Sequence, residues 1–83
     1  MDGIIHDKEH NRFYTLRDGY EAYVEYTVEV GSLNIIHTVV PKPISGKGIA
    51  AELVSAAYKY ADASGLARKA ECSYAAAWLK RNS

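Results

Sequence analysis

Residues 40–50 read VPKPISGKGIA, and the apolar pattern of the chain changes period across them. Before this stretch the apolar residues recur at every second position, the period of a β-strand. After it they recur every three or four positions, the period of an α-helix. Pro41 removes a backbone donor and ends the strand, while Gly46 and Gly48 stand at the start of the helix. The stretch therefore predicts a strand, a short loop and a helix in direct succession.

The residues before this stretch predict three antiparallel strands, at 12–17, 20–30 and 33–40. Asp18-Gly19 is a strong signal for a two-residue hairpin, and Gly31-Ser32 offers a second tight turn. The third strand is apolar on both faces, as expected of a central, covered strand. In the second strand, strict alternation predicts that one face carries Ala22, Val24, Tyr26, Val28 and Val30.

The residues after the stretch predict a long helix at 47–64, a short strand at 67–72 and a C-terminal helix at 74–81. Gly65 suits the left-handed residue that ends the long helix, and Ser73 is expected to cap the last one. This order of elements predicts an α+β fold, with helices packed on a mixed, mostly antiparallel sheet. We expect residues 1–83 to form a single domain.

Composition excludes several classes of function. Ten lysines and arginines balance ten aspartates and glutamates, so the basic excess that normally accompanies nucleic-acid binding is absent. No apolar run approaches the roughly 18 residues that span a bilayer, and the N-terminal residues show no export signal. Cys72 is the single cysteine and cannot form an internal disulfide. We therefore expect a cytoplasmic protein with neither nucleic acid nor membrane as a partner.

The glycine-containing loop admits two interpretations. The first amides of a helix lack internal partners, and glycines let a phosphate approach them closely, so Gly46-x-Gly48 could begin an anion site with Lys47 as a mobile cation. The same glycines could equally serve a tight turn alone. The loop is neither a P-loop nor a dinucleotide fingerprint, because Pro41 and Ala51 stand where those motifs need glycine.

A set of short motifs along the chain resembles the small "predicted acetyltransferase" branch of the GNAT superfamily. They are His37-Thr38-x-Val40-Pro41, Gly46-Lys47-Gly48-Ile49-Ala50 with Leu53-Val54, and Cys72-x-Tyr74 followed by Ala77-Trp78-Leu79-Lys80-Arg81, with Arg12-Phe13 and Asp18-Gly19 near the start. The resemblance implies a minimal GNAT fold that binds acetyl-coenzyme A (acetyl-CoA) as its co-substrate.

The resemblance also implies which residues contact that co-substrate. The residues that match the loop and first helical turn whose amides hold the pyrophosphate are Ser45, Gly46, Lys47, Gly48, Ile49 and Ala50. The edge of the strand ending in Thr38, Val39 and Val40 matches the segment that pairs with the pantetheine arm. The branch usually carries Glu where this chain has Val39, so an obvious general base is missing.

Three residues are candidates for the reacting end of the site. Cys72 precedes a helix, where the dipole and free amides can lower a thiol pKa, although free cysteines are often small buried hydrophobes. Tyr74 could protonate the departing thiolate or could serve only in packing. His37 could replace the missing base, since imidazole titrates near neutral pH, or could be a hydrogen-bonded core histidine.

Residues 6–10, His-Asp-Lys-Glu-His, match the spacing of an inverted zinc-peptidase signature. That chemistry needs both histidines on one face of a long helix and a third ligand downstream. Because the stretch is polar and is followed at once by a predicted strand, we interpret the match as a coincidence and predict no metal site.

The combined prediction is an acetyl-CoA-dependent N-acetyltransferase acting on an unspecified small-molecule or protein amine. The alternatives are a coenzyme A-binding or sensing module that transfers nothing, a protein that acylates only its own Cys72, and a protein-interaction domain that binds no anion. A chain of this size could be a monomer or could dimerise to cover apolar surface.

Overall fold

The computed structural model describes residues 3–82 as one five-stranded sheet with two α-helices. The strands are β1 (Ile5–Asp7), β2 (Arg12–Arg17), β3 (Tyr20–Glu29), β4 (Ser32–Val39) and β5 (Ala67–Ala70), and the helices are α1 (Ile49–Ala63) and α2 (Ser73–Arg81). Short 3₁₀ turns span Lys8–His10 and Lys42–Ile44. This arrangement confirms the predicted α+β fold. Neither helix is long and apolar enough to cross a membrane, within the part of the chain that the structure describes.

The strands lie in the order β1-β2-β3-β4-β5, and only the last pair is parallel. Pairing between β4 and β5 ends at Ile35 and Ala70. The carbonyl oxygen of Ile35 then accepts hydrogen bonds from the amides of Glu71 (3.0 Å) and Cys72 (3.1 Å). Because β4 continues to Val39, no strand within residues 3–82 pairs with its edge at 36–39 on the side of β5.

The core lies between the sheet and the helices. Directly opposed residues in neighbouring strands share a face, so the buried pairs Phe13–Val24 and Tyr26–Ile35 define the face that α1 covers, which we call the helix face. The other side of the sheet is called the open face. From α1 the core receives Ile49, Leu53, Val54, Ala57, Tyr58 and Ala61, and from α2 it receives Ala75.

A β-bulge in β4 changes which residues lie on each face. Tyr26 opposes Ile35 and Glu25 opposes His37, so Ile36 has no partner of its own in β3. As a result Ile35 and Thr38 lie on the helix face, whereas His37 and Val39 lie on the open face. The predicted covered strand is therefore wrong for this half of β4: His37 is exposed, and Val39 is 40% exposed.

Several other predictions at element ends need correction. The strand β1 was not predicted, and it pairs with β2 through Ile5–Tyr14 and His6–Phe13. Val28 and Val30 are exposed, so the apolar face expected for the second strand is covered only as far as Tyr26.

The helices also differ slightly from expectation at their starts. The helix α1 begins at Ile49 rather than at residue 47, because Gly46 and Gly48 adopt positive φ. The N-cap of α2 is Cys72 instead of Ser73, since the Cys72 carbonyl already accepts the amide of Ala76. Gly65 has a φ of 72° and ends α1 as predicted.

Candidate functional site

The glycine loop leads directly into the N-terminus of α1. Gly46 and Gly48 both have a φ of 78°, and Gly48 is the N-cap, with no side chain satisfying the first amides of the helix. A Cβ atom placed on either glycine would meet no heavy atom within 4 Å. Positive φ explains the need for glycine in the turn. The open space above the loop also fits an anion bound by the orphan amides of Ile49 and Ala50.

Burial and a hydrogen bond hold the rest of the loop in place, and the side chain of Lys47 adds a positive charge beside the two glycines. Ile44 is fully buried, and the Ser45 hydroxyl donates to the Lys42 carbonyl at 2.8 Å. Lys47 is exposed, and its Nζ lies 3.3 Å from Oδ2 of Asp18 in the β2–β3 hairpin. The charge of Lys47 is therefore shared with a carboxylate, so the backbone amides are the main groups of the loop that could bind an anion.

The free edge of β4 leads towards this loop. Thr38 is half-buried on the helix face opposite Val24, and Val39 opposes Tyr23 on the open face. On the side of β5, this edge presents backbone donors and acceptors that could pair with an extended ligand carrying amides. The three segments predicted to contact the co-substrate, 38–40, 45–48 and 49–50, thus follow one another from the strand edge to the helix N-terminus.

Cys72 lies beside that edge, at the start of α2. Its half-buried thiol donates to Oγ1 of Thr38 at 3.3 Å. Burial disfavours the thiolate, but hydrogen bonding with the Thr38 hydroxyl and with the backbone amides of Ala75 and Tyr74 outweighs burial and lowers the pKa of Cys72. Cys72 thus packs against the core while these hydrogen bonds favour its thiolate.

Tyr74 and His37 occupy different surroundings from each other. Tyr74 is half-buried and packs against the hydrophobic core, and its backbone amide is one of the groups that lower the Cys72 pKa. His37 is exposed on the open face opposite Glu25, so the interpretation of it as a core histidine is wrong. The structure brings Cys72 and Thr38 together, but it places His37 on the other side of the sheet from Thr38.

Sequence reasoning missed a group of polar residues on the open face. A cavity of about 340 Å³ is lined by Glu29, Ser32, Asn34, Lys69, Ala70 and Glu71. The alternation in β3 and β4 signals that Glu29 and Asn34 point away from the core. Nothing in the local pattern, however, shows that β5 lies beside β4 and adds Lys69 and Glu71.

The two histidines at residues 6–10 make hydrogen bonds to different partners. His6 lies in β1, where Nε2 is hydrogen-bonded to the Tyr26 hydroxyl at 2.5 Å. His10 ends the following 3₁₀ turn, and its Nδ1 donates to Oδ2 of Asp7 at 2.8 Å. Residues 3–82 contain no group of three or more His, Cys, Asp or Glu side chains arranged to hold a metal ion.

Comparison with known proteins gives two similarities. Residues 12–83 match a protein family described as GCN5-related N-acetyl-transferase. The chain is also similar to the NMR solution structure of a GCN5-like protein from Staphylococcus aureus, with 29% sequence identity and a TM-score of 0.75, over 96% of this chain and 79% of that one. Comparison with curated protein sequences gave no match. The matched range 12–83 includes the glycine loop, the β4 edge and Cys72.

Proposed function

Because the chain belongs to the family of GCN5-related N-acetyl-transferases, we propose that it binds acetyl-CoA and transfers the acetyl group to an amine. One observation carries this proposal: the free edge of β4 continues into a glycine loop that opens the N-terminus of α1. A strand edge recognises an extended chain of amides, and a helix N-terminus recognises phosphate. Acetyl-CoA carries both groups in one molecule.

Different segments of the chain would bind different parts of acetyl-CoA. The amides at 46–50 would hold the pyrophosphate, because the N-terminus of α1 carries a partial positive charge and the two glycines leave room for close approach. The amide of Ser45 is already donated to the Lys42 carbonyl. The edge at 38–40 would pair with the amides of the pantetheine arm. Lys47 would add a point charge, reduced by its ion pair with Asp18.

When bound, acetyl-CoA supplies an acyl group activated as a thioester. In the transfer the acyl carbon exchanges its bond to sulfur for a bond to the amine nitrogen, and the amine loses a proton. With Val39 in place of a carboxylate, the groups left to take that proton are His37 and water. Tyr74, whose helix starts beside the β4 edge, could return a proton to the thiolate that leaves.

A second candidate function is supported by the environment of Cys72. Its lowered pKa and its contact with Thr38, in the segment assigned to the pantetheine arm, favour attack of the thiolate on the thioester. The acyl group would then form a bond to Sγ, and the coenzyme A thiol would take up the proton that Cys72 lost. A protein of this kind would acylate itself, or bind the coenzyme, without passing the group to an amine.

The binding step is tested with two matched glycine variants. Gly48→Ala adds a Cβ above the loop, and Gly65→Ala adds one at the other end of α1, where φ is also positive and space is also open. Both variants carry similar backbone strain. Isothermal titration calorimetry should show at least a tenfold weaker affinity for coenzyme A in Gly48→Ala and little change in Gly65→Ala. Equal affinities in the two variants, or no binding to the unmodified protein, would contradict the proposal.

A further inference from the structure

The open face of the sheet carries a row of apolar residues that crosses four strands. The register of β1 to β4 places these residues directly opposite one another: Ile5, Tyr14, Tyr23 and Val39. Ile5 is 52% exposed, and Leu16, which follows Tyr14 by two residues on the same face, is 56% exposed. Both α1 and α2 place their buried side chains in the core on the helix face, so within residues 3–82 neither helix shields this row. A contiguous exposed apolar patch is typical of a surface that binds another protein.

A second row, two residues away along each strand, carries charges of alternating sign. From β1 to β4 it consists of Asp7, Arg12, Glu25 and His37. The Arg12 side chain extends from this row over the apolar one: its guanidinium carbon lies 3.8 Å from the centroid of the Tyr23 ring, and its Nη2 lies 3.7 Å from Oε2 of Glu21. The order is acid, base, acid, imidazole. A reversed copy of the same row therefore places an acid opposite each nitrogen base.

One symmetry axis produces this reversal. Two sheets that pack face to face keep their strands aligned within about 30°. A two-fold axis parallel to the strands, between β2 and β3, places β1 opposite the partner's β4 and β2 opposite the partner's β3, and it keeps each row opposite its own copy. Arg12 then opposes the partner's Glu25, and Tyr14 opposes the partner's Tyr23. A two-fold axis along the charged row would instead place Arg12 opposite the partner's Arg12, which brings like charges together.

The other charged residues of the open face do not oppose like charges in this arrangement. Because four strands overlap, β5 with Lys69 lies beyond the partner's β1. Glu29 lies two rows beyond Glu25, where pairing with β2 has ended. Glu21 lies inside the overlap, opposite the partner's Leu16, and its carboxylate is ion-paired with Arg12 of its own chain.

We propose that the open face is an interface between two copies of this chain, related by the two-fold axis parallel to the strands. The inference does not depend on the proposed function, because it needs no coenzyme A. The overlap spans four strands and three rows, about 19 Å by 17 Å, so the two copies together cover roughly 650 Å² of flat sheet surface. This area is at the low end for specific interfaces, so the dimer is weak and forms reversibly as the protein concentration rises.

The test exchanges the two central charges, Arg12 and Glu25. Each of the single variants Arg12→Glu and Glu25→Arg brings like charges together across the axis. Sedimentation equilibrium at protein concentrations up to about 1 mM should show that the unmodified chain dimerises and that each variant alone associates at least ten times more weakly. An equimolar mixture of the two variants should form a heterodimer, with an affinity within about threefold of that of the unmodified chain, because each variant supplies the charge that the other has lost.

A matched control and a second measurement locate the interface. Arg68→Glu also reverses an arginine charge, but on the side of α1, where Arg68 is ion-paired with Asp62, and it should leave association unchanged. Dilution of the ¹⁵N-labelled unmodified chain should shift the NMR resonances of Tyr14, Tyr23 and Val39. It should leave the resonances of α1 in place.

Several results would overturn the interface. They are a chain that stays monomeric at every concentration, an Arg68→Glu variant weakened as much as Arg12→Glu, a mixture that associates no better than its folded components, and dilution shifts confined to the helices. Dimerisation that persists when coenzyme A fails to bind would leave the interface in place, and only the acetyl-transfer proposal would fall.

Discussion

At the scale of single residues, Cys72 has the environment that most changes its chemistry. Its thiolate is favoured by the Thr38 hydroxyl and by two backbone amides at the start of α2. Because it is the only cysteine in the chain, alkylation reports on it alone. We expect half-maximal alkylation at a pH below the ordinary thiol value of about 8.5. Mass spectrometry of iodoacetamide labelling over a pH series measures this midpoint.

The role of Thr38 can be separated from that of burial. Thr38→Val keeps the shape and removes the hydroxyl, so the alkylation midpoint should move to higher pH. Thr38→Ser retains the hydroxyl and should hold the midpoint near its original value. Bound coenzyme A should slow labelling if the β4 edge holds its pantetheine arm. A thiol that reacts only in denaturant would show that Cys72 is simply part of the core.

The amine must lose a proton in the proposed transfer. Two residues on the open face decide which group can accept that proton, His37 and Val39. We expect weak turnover with simple amines in the unmodified protein, because residue 39 carries no carboxylate. Val39→Glu should raise the rate on the order of 10²-fold, if a positioned base is all that is missing. The check is a spectrophotometric assay of coenzyme A release with n-butylamine.

The same assay across pH distinguishes His37 from water as the base. A histidine base gives a rate that rises with pH through the neutral range and then levels off. This rise should disappear in His37→Gln. A rate that climbs steadily to high pH in both proteins would point to attack by amine already deprotonated in solution. Rapid turnover at neutral pH that neither substitution affects would contradict both roles.

At the scale of elements, β1 is held by an aromatic cluster that makes stability depend on pH. The His6 ring stacks on Phe13 at 3.9 Å and meets the edge of Tyr60 at 4.4 Å. Burial and the nearby charge of Lys8 lower the pKa of His6 below its ordinary value of 6.5, against a smaller opposing effect of Asp7. The unfolded chain therefore binds a proton more readily than the folded one. The contribution of the neutral His6 ring to the free energy of unfolding is complete above pH 6.5 and decreases as the pH falls below that value.

We expect the free energy of unfolding, measured with urea, to decrease when the pH is lowered from 7.5 to 5.5. The decrease should be smaller in His6→Gln than in the unmodified protein. His37→Gln is the matched control, because it removes an exposed imidazole from the open face. The lowered pKa of Asp7 acts at lower pH, since the ordinary value of its carboxyl is 3.8. A decrease of equal size in all three proteins would place the pH dependence outside this cluster.

The elements also show what the sequence could predict and why. The hairpin at Asp18-Gly19 and the end of α1 at Gly65 follow from local conformational demands, and both were predicted. The bulge at Ile36 depends on how β3 and β4 pair, and no local pattern specifies it. It determines the face on which His37 lies, so the sequence identified this residue but misplaced it. The strand β1 was missed because three mostly polar residues carry too weak a period to be recognised.

At the scale of the whole molecule, the candidate site depends on one long-range pairing. Parallel pairing of β4 with β5 brings together residues more than thirty positions apart, such as Asn34 and Lys69. It places Cys72 against Thr38 on the helix face and completes the cavity on the open face. The glycine loop and the cysteine could each be found from their neighbours in sequence. The cavity on the open face could not, because its two halves come from strands on opposite sides of α1 in the chain.

A domain this small shares one core among all its elements, so binding at one edge should stabilise the entire chain. The core links α1 to five residues of β3 and β4, among them Val24 and Leu33. Coenzyme A at one hundred times its dissociation constant stabilises the folded state by about 2.7 kcal/mol. In a domain of 60–100 residues each kcal/mol raises Tm by about 4–8 °C, so the expected increase is about 10–20 °C. Calorimetry should show a single transition with and without ligand, and the increase should be much smaller in Gly48→Ala at the same ligand concentration. A second transition that coenzyme A leaves unmoved would mean that part of the chain unfolds independently of the loop.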